Sequence, residues 1–99
     1  MAKKRVKKKY TAQQRYEYHS QRDRACGKFG IKFGSPKHCY SFGFSDAFSG
    51  IDNSGATKFE FGNKSGNAYI LGHKRGVKAA REYFNKTGKQ PFMLALEKR

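Results

Sequence analysis

A thirteen-residue pattern written twice constrains this chain more than anything else in it. Residues 38–50 and 67–79 align without a gap as Tyr, two residues, Gly, three residues, a small residue, two residues and another small residue. At 3.6 residues per turn, Tyr40, Gly43, Ala47 and Gly50 fall on one face of a helix, and Tyr69, Gly72, Gly76 and Ala79 on one face of another. Gly costs roughly 1 kcal/mol relative to Ala inside a helix, so a smooth stripe that carries it needs a compensating reason. Close approach of the two backbones supplies one. The competing reading is that Gly43 and Gly72 are C-caps and the likeness is chance in a Gly-rich chain. Whether the stripes meet within one chain or between two copies, spacing does not decide.

The flanking residues predict a mainly α, small three-helix domain, with helices at about 11–24, 36–49 and 65–86. Thr11 and Gln14 have the form of a capping box, opening a polar helix that docks through Tyr16. Ser35-Pro36 is a helix start, and Phe44 and Phe48 give the helix that follows an apolar second face. The third helix stops at Gly88. Two stretches alternate with period two, Lys28 to Gly34 and Thr57 to Gly62, and can pair into a short β-ribbon or lie as ordered loops pinned by Phe. The apolar patch from Phe92 to Leu96 adds a strand or short helix to the core, or frays. Nine Phe and six Tyr must supply much of a thin core.

Charge sets the partner class. The 99 residues carry a net charge of +15, a field that attracts polyanions, nucleic acid first among them. Lys3, Lys4, Arg5, Lys7, Lys8 and Lys9 crowd a tail over residues 1–10 that is expected to be disordered without a polyanion. On the first helix Arg15, Arg22 and Arg24 are exposed candidates. Lys28 and Lys32 interleave with Phe29 and Phe33, the combination of cations and rings that unpaired RNA requires. In the alternative, these two Phe fill the core. Lys74, Arg75, Lys78 and Arg81 form a cationic face opposite the second smooth stripe.

Other chemistries find little support. No stretch approaches a membrane span and the basic N-terminus lacks a secretory core, so a cytoplasmic protein without a membrane partner is expected, with Cys26 and Cys39 reduced. Cys26, His38, Cys39 and His73 are the one candidate metal cluster, and their spacing suits a tetrahedral site poorly. No catalytic signature surrounds either Cys, and Asp46, Asp52 and Glu60 read as surface charge, so no enzyme, metal or cofactor is expected.

The two stripes also resemble the ribosome modulation factor family of bacterial hibernation proteins, over residues 39–78. Tyr40, Gly43, Ala47, Gly50, Ala68, Tyr69, Gly72, Arg75 and Gly76 carry the likeness. In place of that family's Cys-Pro-Tyr connector, this chain has Gly50 to Gly55. The resemblance implies binding to the small ribosomal subunit through ribosomal RNA. The chain also looks like small basic proteins of phages and mobile elements. The expected function is therefore RNA binding, ribosome-associated, with RNA or a ribonucleoprotein as partner and rRNA favoured. The alternatives are an inhibitor or regulator that binds a host nucleic-acid-handling protein such as a nuclease, and a DNA-binding architectural protein.

Overall fold

A computed structural model of the chain describes residues 9–97. The expectation of a disordered tail, and with it Lys3, Lys4, Arg5, Lys7 and Lys8, lies outside the described residues. Five helices follow in order: α1 (Ala12–Arg24), α2 (Pro36–Ser49), α3 (Ser54–Phe61), α4 (Asn63–Thr87) and α5 (Pro91–Glu97). The capping box of α1 closes as its sequence requires: the Gln14 N–H donates to Thr11 Oγ1 at 3.1 Å and the Thr11 N–H to Gln14 Oε1 at 2.9 Å. On α2 the Ser35 hydroxyl accepts from the His38 N–H at 3.3 Å, and Pro36 occupies the first turn.

The two stripes are in contact, which settles the role of the repeat. A Cβ on Gly43 would lie 2.2 Å from the backbone oxygen of Tyr69, and one on Gly72 would lie 2.1 Å from that of Tyr40. Each copy's glycine therefore rests on the carbonyl of the other copy's tyrosine. Gly76 continues the seam, where a Cβ would meet Ala47 at 2.7 Å, and Ala79 is fully buried. Gly43 and Gly72 are thus contact residues inside their helices and not caps.

Gly50 corrects the fourth position of the first stripe. It is exposed, has φ of 74° and would meet nothing within 4 Å as alanine. The N–H groups of Gly50 and Ile51 turn back to the carbonyls of Ala47 and Asp46, so this residue ends α2 in a left-handed cap.

No strand occurs among the described residues, so the β-ribbon is overturned. Residues 26–29 form a 3-10 turn closed by Gly30 at φ 70°, with the Ile31 N–H bonded to Cys26 O at 3.0 Å. Phe29, Ile31 and Phe33 do not share a buried face: Ile31 is buried, whereas Phe29 and Phe33 are 43 % and 67 % exposed. The second stretch is helix α3, where Thr57 is buried and Phe59 is 93 % exposed. In the first stretch Gly30 and Gly34 take φ of 70° and 83°, left-handed conformations that break an extended strand on both sides of Ile31 to Phe33. Lys58 of α3 packs instead where a Cβ on Gly66 would stand, so α3 lies close along the start of α4.

The core gathers Ala12 and Tyr16 of α1, Phe44 and Phe48 of α2, Ala79, Ala80 and Tyr83 of α4, and Leu94 and Ala95 of α5. Rings carry it, with Tyr16 and Phe48 centroids 4.6 Å apart. The C-terminal apolar patch is thus a short helix that closes the end of the core. Among the described residues no helix is long and apolar enough to cross a membrane.

Candidate nucleic-acid interface

The first cation of the site comes from one edge of α1, where Arg22 stands four residues after Tyr18 and three after His19. The Arg22 guanidinium carbon lies 3.5 Å from the centroid of the Tyr18 ring and 4.4 Å from that of Phe29. Its Nη1 donates to the Tyr18 carbonyl at 3.3 Å, which holds the side chain back along its own helix. Tyr18 meets His19 edge-on at 5.0 Å, and His19 in turn packs 5.4 Å from Tyr40 of α2. From α4, Arg75 Nη1 donates to the Tyr40 hydroxyl at 3.0 Å. The result is a ladder of rings with a cation near each end, Phe29, Arg22, Tyr18, His19, Tyr40 and Arg75, that crosses three helices.

His19 is the neutral rung. Burial, together with the positive charges of Arg22 and Arg15, lowers its pKa from 6.5 to about 4. Its ring also rests on Phe44 at 4.4 Å and its Nδ1 hydrogen-bonds the buried Ser41 hydroxyl at 2.9 Å. It serves the ladder as a ring and anchors it to the core.

Beyond Arg75 the ladder runs into a basic ridge. Lys74, Lys78 and Arg81 fall within one face of α4 at spacings of four and three, and all are exposed. The expected grouping of these residues with Arg75 is thus present, with Arg75 turned toward Tyr40 at the ridge's inner border. Lys28 and Lys32 are exposed at the other end, around the 3-10 turn that carries Phe29. Lys9 is exposed near the start of α1.

Two arginines of α1 stand elsewhere. Arg15 is ion-paired with Glu82 of α4 and so ties these two helices together. Arg24 lies on the opposite edge of α1, beside Asp46 and Ser49 of α2. Neither belongs to the ladder.

Asp23 and Asp46 are drawn partly into the fold, and Glu17, Asp52 and Glu82 are engaged by neighbours nearer the surface. Glu17 accepts from Gln13, Asp23 pairs with His38 at 2.9 Å, and Asp52 caps the Ser54 N–H. Asp46, expected as surface charge, is half-buried: it accepts from the Tyr69 hydroxyl at 2.6 Å and from Asn53 Nδ2 at 3.1 Å. Burial raises its carboxyl above the usual range and pushes the Tyr69 phenol well above 10. The Tyr69 oxygen also accepts the Asn53 N–H at 2.7 Å, so this cluster fixes the turn between α2 and α3.

The cysteines and histidines do not converge on a metal. Among the described residues no three of His, Cys, Asp and Glu could hold an ion. His38 is buried, with Nδ1 accepting the Gly34 N–H at 3.1 Å, which assigns its proton to Nε2 and thence to Asp23. Burial pushes the Cys39 thiol up, the wrong direction for a nucleophile. Compared with known proteins, the chain matches no family model, no curated protein and no solved structure.

Proposed function

We propose that this chain binds RNA, gripping phosphates with the Lys74, Lys78 and Arg81 ridge and holding unpaired bases against the ring-and-cation ladder. The observation that carries this reading is the ladder itself. Rings and guanidinium groups side by side, with Tyr18 and Phe29 exposed, suit a polymer whose backbone is anionic and whose bases are flat. Cationic charge alone would serve any polyanion, and duplex DNA offers no exposed base faces to Tyr18 or Phe29. The basic run from Lys3 to Lys9 adds charge for the same partner.

Structured RNA of the ribosome is the favoured target, in the cytoplasm, on the likeness of the two striped helices to ribosome modulation factors. Recognition would follow the shape and single-stranded features of the RNA more than its sequence. The test is to recover the tagged chain from bacterial cells with and without RNase. Ribosomal RNA should accompany it and disappear with the nuclease. Recovery of one protein that survives RNase and high salt, with no RNA, would overturn the reading in favour of a protein target.

A further inference from the structure

We infer that the space between Tyr18 and Phe29, filled in the free chain by the Arg22 guanidinium, is a slot for one unpaired nucleobase. Arg22 holds the slot open and turns outward to a phosphate when the base enters. This rests on the RNA-binding reading and gives that surface its specific substrate, a single-stranded or bulged segment.

Three observations support the slot. First, a planar group already contacts both rings at stacking distance, 3.5 Å and 4.4 Å from their centroids. Both rings thus reach one planar group closely enough to stack on a base that takes its place. Second, Tyr18 and Phe29 are 51 % and 43 % exposed, unlike the core rings Tyr16 and Phe48 at 2 % and 1 %. Both rings therefore stand at the surface, with Arg22 as the group over them. Third, Arg22 is held without an ion pair. Among the described residues no carboxylate forms an ion pair with it, and its one hydrogen bond is a 3.3 Å contact to the carbonyl of Tyr18. A cation over an exposed ring is also held less strongly than a stacked base.

The position of the slot fits the exchange. The 3-10 turn that presents Phe29 ends at Gly30, where φ is 70° and a Cβ would meet nothing within 4 Å. Lys28 within the turn and Lys32 just after it are exposed, placed to meet the phosphates that flank a stacked base. Arg22 in its outward position adds a third cation there.

The test uses the full chain and a single-stranded RNA carrying one 2-aminopurine, whose fluorescence falls when the base stacks, alongside a fully paired duplex of equal length. The wild type should quench the single strand. Tyr18→Leu and Phe29→Leu should each weaken single-strand binding by roughly 5- to 150-fold, the worth of one base–aromatic stack, and leave duplex binding and the salt slope unchanged. Arg22→Gln should keep the quenching and reduce the salt slope by about 0.7. Both rings are exposed, so the leucine variants should melt with the wild type. Salt-dependent binding by the wild type with both leucine variants unimpaired would overturn the slot and leave the RNA reading standing. Absence of salt-dependent binding to either probe would overturn both.

Discussion

Gly43→Ala is the most informative change to the scaffold, because alanine is the better helix former and yet should destabilise this protein. The new Cβ would sit 2.2 Å from the Tyr69 oxygen, and the neighbouring helix backbone would have to retreat by about 0.8 Å to reach 3.0 Å. Neither backbone can give locally without breaking its own hydrogen bonds, so α2 and α4 separate along the seam. A gap of 0.5–1 Å forfeits roughly a quarter to a half of each dispersion contact it opens, and overpacking of this kind costs about 1–3 kcal/mol or more. The helical gain from Gly to Ala returns somewhat under 1 kcal/mol. A net loss of about 1–2 kcal/mol should lower the midpoint of thermal unfolding by roughly 4–16 °C for a domain of this size. Gly72→Ala should cost as much, and the double variant less than the sum, since one separation of the helices relieves both clashes. Gly55→Ala is the control: it lies in helix α3 with nothing within 4 Å of the added carbon and should raise the midpoint by a few degrees. Circular dichroism melts of the four variants check the set. Gly43→Ala melting at or above the wild type would refute the reasoning, as would strict additivity.

Protonation of His19 should weaken the fold in mild acid. Its folded pKa of about 4 lies below 6.5, so its contribution is complete above pH 6.5 and is lost as pH falls toward 4. The full shift corresponds to roughly 3 kcal/mol, reduced to about 1–2 by the ring's partial exposure. Asp23 and Asp46, whose pKa values burial raises, act in the opposite sense, so the comparison is with His19→Gln, which retains both acids. Melts from pH 7.5 to 4.5 should show the wild type losing more than the variant, and parallel curves would remove His19 from the account. Tyr69→Phe should cost about 1–3 kcal/mol by leaving the Asn53 N–H and Asp46 without their shared partner. Denaturant unfolding reads this directly, and an unchanged midpoint would mean that water replaces the phenol.

The helices that hold the molecule together were legible because their signals are local. Thr11 with Gln14, and Ser35 with Pro36, announce helix starts through chemistry within four residues. The repeat announces contact through the absence of side chains. The helices at residues 54–61 and 91–97 were harder to read. Phe59 and Phe61 alternate as strand residues do, yet Thr57 and the packing of Lys58 on Gly66 decide the conformation, and that contact is tertiary. The same holds for the site. The ridge at Lys74, Lys78 and Arg81 follows from helical spacing alone. The ladder does not, because it joins Phe29, Arg22, Tyr18, Tyr40 and Arg75 across α1, α2, α4 and a turn. Its one local trace is Tyr18 four residues before Arg22, a spacing that places ring and cation together on a helix. Tyr40 read only as a packing residue, whereas its hydroxyl faces outward to Arg75. Arg15 read as a phosphate contact because its partner Glu82 is 67 residues away in sequence.

The most direct test of the central claim is the salt dependence of RNA binding by the full chain. The logarithm of the affinity for single-stranded RNA should fall linearly with the logarithm of salt concentration, with a slope of about 0.7 for each phosphate neutralised. Replacing Lys74, Lys78 and Arg81 together by Gln should reduce that slope by about 2 while the fold and the 2-aminopurine quenching remain. A wild-type slope near zero, or a triple variant with the wild-type slope, would contradict the account.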